Sequence, residues 1–171
     1  MKWNRIEIKG VALTILILFP IISVLFVYFG LRFRQAVRGH LQPKGPVAQF
    51  YPEQAKQLQN ASLSTHGQYN IWAFQSTPQD TLLISTVRQV VSAFQNHPHV
   101  QIIHWIQHSN QCVDLPPPYR CLITAQNSAQ EHPTLVLVDT SAQLVSTYRL
   151  IDSAAMLQAL RDLAVLIPPE K

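Results

Sequence analysis

YNIWAFQSTPQDTLLISTVRQVVSAFQN, residues 69–96, is the stretch that decides the fold. Ile71, Trp72, Ala73 and Phe74 form a short apolar run with the length and aromatic content of a buried strand. Asp80 stands where a helix N-cap belongs, since a carboxylate there can accept from the unpaired N–H groups of a first turn. Beyond it Leu83, Val87, Val90, Val91 and Phe94 recur at helical spacing and give one apolar face. The stretch predicts a strand, a tight turn and an amphipathic helix.

Working outward toward the C-terminus, Val100 to Gln107 mixes β-branched and aromatic residues and predicts a second strand. The helix between them makes the two strands parallel. Residues 108–132 read as a polar loop containing Cys112, the run Pro116-Pro117-Pro118, and Cys121. TLVLVD after Pro133 predicts a buried strand, and LVSTYRL its hairpin partner. Asp152 or Ser153 caps a last helix with Leu157, Leu160, Leu163, Ala164 and Ile167 as its stripe, stopped by Pro168-Pro169. The class is α/β, a mixed sheet with helices on both faces.

Toward the N-terminus, Gly39, Pro43, Gly45, Pro46 and Pro52 punctuate the chain, with a short helix expected after Pro52. Residues 11–29, VALTILILFPIISVLFVYF, carry no charge, and about 20 apolar residues span a bilayer. Pro20 is tolerated in such a helix, and Arg32 and Arg34 follow at headgroup level. A cleaved signal peptide would have a shorter apolar run and a small-residue cleavage site. The expected division is therefore an N-terminal segment 1–10, a transmembrane helix 11–31, a juxtamembrane stalk 32–64 and a domain 65–171.

Net charge is +4 with 13 % charged residues, and many of the bases flank the apolar segment. With no basic face on the domain, nucleic acid is not an expected partner. Basic residues on both sides of the span leave its orientation open.

The order of elements, with His132-Pro133-Thr134 before a buried strand, resembles thioredoxin-like proteins. That resemblance implies a cis peptide at Pro133, facing the turn after the first strand. VRQVVSAFQNHPHVQIIHWI and LVLVDTSAQLVSTYRLIDSAAMLQALRDLAVLI further resemble single-span inner-membrane proteins of proteobacteria associated with cytochrome c oxidase assembly, distantly similar to the Sco/SenC copper chaperones. The resemblance implies a cytoplasmic N-terminus (1–10), a C-terminal domain in the periplasm, and oxidase subunits or assembly factors as membrane partners. Thioredoxin-like enzymes and Sco-type proteins carry a cysteine pair in the first turn. Here that turn is Ser76, Thr77, Pro78, Gln79 and Asp80, with no soft ligand for copper. No cofactor, metal site or catalytic residue is expected there.

Cys112 and Cys121 admit three readings: a disulfide pinning the proline-rich loop, two unpaired thiols, or a catalytic dithiol. The spacing of His104, His108 and Cys112 would converge only on a helix, and 100–107 reads as a strand, so these residues, with His97 and His99 flanking Pro98, read first as surface and loop histidines, and a copper or zinc site is the alternative. Ser76 or Ser85 with a histidine and Asp80 lacks the Gly-x-Ser-x-Gly context of a nucleophile elbow. Two functions follow. One is a non-catalytic membrane-anchored accessory factor in oxidase assembly. The other is a periplasmic copper-handling or thiol–disulfide redox protein using Cys112, Cys121 and nearby histidines.

Overall fold

The computed structural model describes residues 18–32, 39, 41–77, 79–124 and 132–167. The chain divides into two units, Met1–His40 and Leu41–Lys171. In the first, residues 18–32 are helical (α1). Apolar side chains on every side of this helix are exposed, among them Phe19, Ile22, Phe26 and Phe29. No helix among the described residues is long and apolar enough to cross a membrane. Residues 11–17 of the expected span lie outside the described residues, as do residues 1–10.

The second unit is built on a six-stranded sheet with strand order β1-β6-β5-β2-β3-β4. The strands are β1 Gly45–Pro46, β2 Tyr69–Phe74, β3 Val100–Ile106, β4 Tyr119–Ile123, β5 Thr134–Val138 and β6 Gln143–Arg149. Its helices are α2 Val47–Phe50, α3 Pro52–Asn60, α4 Thr81–Phe94 and α5 Ser153–Leu166. β2 is parallel to β3 and antiparallel to β5, which is antiparallel to β6. A strand–helix–strand unit followed by a hairpin and a helix, with central order β6-β5-β2-β3, is the thioredoxin-like arrangement. The first strand, first helix, hairpin and last helix lie where the periodicity put them.

Both faces of the central strands are buried, so β2, β3 and β5 are buried along nearly their whole length rather than alternately. One face carries Trp72, Phe74, Ile103, Trp105, Val136 and Val138, packed with Val47 and Leu58. Phe74 and Trp105 stack with centroids 6.0 Å apart, and Tyr51 stacks on Phe74 at 5.4 Å. Alternation along the strands turns Ile71, Ile102, His104, Leu135 and Leu137 to the opposite face. There the buried side of α4 (Leu83, Thr86, Val87, Val90 and Val91) and of α5 provide the cover.

Three expectations need correction. The stalk assigned to 32–64 is, from Leu41, part of the folded unit. Pro46 pairs with Gln143, and Val47 and Leu58 enter the core. An amphipathic turn of helix looks like solvated linker until an aromatic sheet face is there to receive it.

The loop assigned to 108–132 contains a 3-10 turn, Ser109–Gln111, and then β4, parallel to β3 at the sheet edge. The sequence YRCLI is too short and too polar to announce a strand by itself. Residues 125–131 lie outside the described residues.

In α5 the buried residues are Ala159, Asp162 and Leu163, while Leu157 and Ala164 are exposed. The stripe is rotated from the expected one, and a polar residue, Asp162, occupies part of it. Asp152 caps this helix as expected, accepting from Ala155 N at 2.8 Å. Pro168 and Pro169 lie outside the described residues.

Candidate functional site

The turn after β2 holds the first candidate site. Asp80 immediately precedes α4, but its carboxylate makes no side-chain cap. It points backward instead. Oδ2 accepts from Ser76 N at 2.7 Å, Ser76 Oγ at 2.9 Å and Thr77 N at 2.8 Å, and Oδ1 accepts from Thr77 Oγ1 at 2.7 Å. Burial pushes the carboxyl upward, but these hydrogen bonds from Thr77 and Ser76 outweigh it and hold Asp80 below its usual range. Gln75 Nε2 donates to Thr77 O at 2.8 Å, which closes the same turn from inside. The capping expectation therefore fails on direction: four donors lie behind Asp80, and they take the acceptor the helix would have used. Both hydroxyls, Ser76 and Thr77, are spent on Asp80. Among the described residues no histidine is a partner of Asp80, so the Ser-His-Asp reading has no geometric basis here. Pro78 lies outside the described residues.

Pairing of Phe74 with Thr134 brings Pro133 close to the start of this turn. The cis peptide among the described residues joins Pro117 to Pro118, not His132 to Pro133. The cis bond thus sits in the connection leading into β4. Thr134 Oγ1 donates to His132 O at 2.9 Å, and Pro133 O accepts from Leu150 N at 2.8 Å.

The second candidate site lies on β3 and the edge strand β4. Register pairs His104 with Cys121, and Tyr119, two residues before Cys121, shares its face. His104 is fully buried, and its Nδ1 lies 2.8 Å from the Tyr119 hydroxyl. Its Nε2 has no hydrogen-bond partner. Burial pulls His104 down to about 4, so the ring is neutral at pH 7. Burial, and then the neighbouring Cys121, push Tyr119 upward.

Cys112 follows the 3-10 turn and is exposed, whereas Cys121 is half-buried; both are free thiols. Burial, and then the Cys112 thiol, push Cys121 up to about 12, with Tyr119 acting in the opposite direction. Of the three readings of these cysteines, the structure holds them as unbonded thiols.

The histidines disperse. His108 precedes the 3-10 turn, and His97 Nδ1 accepts from His99 N at 3.3 Å. Among the described residues no group of three or more histidine, cysteine or acidic side chains converges to hold a metal ion. A groove of about 490 Å³, lined in part by His97, Gln101, Tyr119 and Arg120, opens at the end of the sheet away from the Ser76–Asp80 turn. Another cavity of about 410 Å³ lies between α2, α3 and the β5–β6 turn. Neither is lined by a cysteine or a carboxylate.

Sequence reasoning missed Tyr119 and the buried state of His104. The available signal was the Tyr-x-Cys spacing, which puts both side chains on one face of a strand.

No protein-family model and no curated protein matches the sequence. Among solved structures, the chain is similar to the pneumococcal exposed lipoprotein thioredoxin from Streptococcus pneumoniae. Identity is 15 % and the TM-score 0.39, over 58 % of this chain and 87 % of that one.

Proposed function

We propose that this chain is a membrane-anchored, thioredoxin-like accessory factor of the bacterial inner membrane. Its domain lies in the periplasm and docks an oxidase subunit or assembly factor during assembly of cytochrome c oxidase. It performs no chemistry at the turn after the first strand. The observation that carries this reading is the closed turn itself. Thiol exchange or copper transfer there needs a soft, ionisable group at the exposed start of α4. The chain puts two hydroxyls there, and both are bound to Asp80.

The membrane part of the reading is supported by α1, whose apolar side chains are exposed on all sides, as a lipid-facing helix requires. Tethering confines the domain to the membrane face and raises its effective concentration near a membrane-bound partner. The oxidase context and the orientation rest on the sequence resemblance.

The test is complementation in cells lacking the chain, read as oxidase activity of isolated membranes. Ser76→Ala with Thr77→Ala should restore activity. The domain alone, exported without residues 1–31, should restore far less. Loss of activity in the double variant, with its melting temperature maintained, would show that the turn is an active site.

A further inference from the structure

We infer that the groove at the end of the sheet away from the Ser76–Asp80 turn binds the C-terminal end of a peptide chain. Arg120 takes the terminal carboxylate, and Gln101 takes the amide N–H of the last residue. This goes beyond the docking role, and nothing in it depends on the oxidase.

The groove encloses about 490 Å³, within the range of ligand sites. Strand register puts both side chains on one face. Arg120 on β4 pairs with Ile103 on β3, and Gln101 lies two residues before Ile103. Long side chains at diagonal positions on neighbouring strands can reach a common ligand. Arg120 is exposed, so its guanidinium is open to groups arriving from solvent. Pro98, Pro117 and Pro118 also line the groove. With φ fixed and no N–H, they form a stiff wall that offers a ligand no backbone donor.

Gln101 is the residue that points to a ligand. It is 7 % exposed, and its Oε1 is buried without a hydrogen-bond partner. Asn70, its neighbour in register on β2, is in the same condition. Asn70 Nδ2 donates to Thr65 O at 3.0 Å and to Gln68 O at 2.9 Å, but its Oδ1 has no donor. Among the described residues, this corner of the sheet is short of N–H groups. A buried acceptor without a donor is costly, and an aliphatic side chain of similar size would avoid the cost. The terminal torsion of a glutamine is broad, so a small rotation presents Oε1 to an N–H entering the groove. An arginine on an edge strand also deters stray strand pairing, but that role needs no unsatisfied acceptor beside it.

The chemistry of the lining selects the ligand. A guanidinium matches a carboxylate with two parallel hydrogen bonds. No carboxylate among the described residues lines the groove, so nothing there would neutralise an ammonium, and a free amino acid fits poorly. The ligand instead carries a neutral N–H close to a carboxylate. The last residue of a peptide has both on one carbon. An internal aspartate or glutamate holds its carboxylate further out along the side chain.

The test uses the full chain in detergent and a pool of random tetrapeptides labelled at the N-terminus with fluorescein, read by fluorescence anisotropy. We expect saturable binding of the pool with free C-termini. The same pool as C-terminal amides should bind at least about tenfold more weakly, the loss expected for a charge-assisted hydrogen-bonded pair. N-acetylalanine should displace the pool better than free alanine does. Arg120→Gln, at an exposed position, should weaken binding of the acid pool by a similar factor with the melting temperature unchanged. Gln101→Leu should weaken binding while leaving the preference for acid over amide. Equal binding of acids and amides, no saturation below about 10 mM, or full binding by Arg120→Gln would overturn the inference. So would alanine competing as well as N-acetylalanine, an amidated peptide with an internal aspartate binding as tightly as the acids, or a folded Gln101→Leu that binds like the original. The comparisons on the unmutated protein and on the exposed Arg120 position stand even if Gln101→Leu fails to fold.

Discussion

Tyr148 on β6 donates its hydroxyl proton to the carboxylate of Asp162 on α5, inside a helix face that otherwise meets the sheet with apolar side chains. Asp162 is 4 % exposed, and its other oxygen accepts from Gln158 Nε2 at 3.0 Å. Burial, and then the Asp162 carboxylate, push Tyr148 well above its ordinary value, so it stays a donor throughout the physiological range. A polar pair here fixes how α5 lies on β6, where apolar contacts alone would permit sliding.

Removing the hydroxyl leaves one oxygen of a buried carboxylate without its donor. Tyr148→Phe should destabilise the domain by about 2 kcal/mol, the cost of leaving a buried acceptor short of a donor. Tyr148→Phe combined with Asp162→Leu should recover much of that loss, because both polar partners are then gone. Urea unfolding followed by circular dichroism measures both. A single variant as stable as the original chain would show that the pair contributes nothing.

His104 gives the domain a specific pH response. Its folded value of about 4 lies below the 6.5 of an unstructured histidine, so between these values the unfolded chain binds more protons. The stability from keeping it neutral is complete above about 6.5 and lost as pH falls toward 4. The full difference is on the order of 3 kcal/mol. His104→Gln should flatten the fall in melting temperature over that window. An unchanged slope would mean that another group dominates the acid response.

Asp80 is a turn-closing residue, so its removal should act on stability and not through a lost helix cap. Asp80→Ala strands Ser76 N and Thr77 N together with two hydroxyls, and should cost about 1 to 3 kcal/mol. Asp80→Asn keeps an acceptor and should cost less. Because the folded carboxyl is held below its ordinary range, its contribution is present at neutral pH and lost only as pH falls through that lowered value, below the His104 window. Equal destabilisation by Ala and Asn would refute the acceptor role.

The unit from Leu41 onward has its own sheet with apolar side chains buried on both faces, and is expected to fold without metal. Thermal melts of residues 41–171 with and without a chelator should superimpose. A chelator-induced drop of more than a few degrees would point to a structural ion.

The all-round apolar surface of α1 should make the full chain behave as an integral membrane protein, resisting extraction of membranes by alkaline carbonate. Release of the full chain into the soluble fraction by this treatment would sink the anchor.

The sequence by itself determined the elements whose pattern is local. The period of Leu83, Val87, Val90 and Val91 placed α4, the apolar runs placed β2, β3 and β5, and Asp152 marked the start of α5. Spacing within one helix or strand fixes a face without reference to the rest of the chain. Only the tertiary structure decided what depends on a partner far along the chain. YRCLI becomes a strand because β3 offers it a free edge, and that register puts Cys121 opposite His104. Residues 45–60 join the domain because Tyr51, Val47 and Leu58 meet a sheet face formed by Trp72, Phe74 and Trp105. Asp80 turns back to Ser76 and Thr77 because those donors converge on it only once β2 and α4 are joined by a tight turn. Contacts between distant segments are fixed by strand register, which local periodicity does not encode.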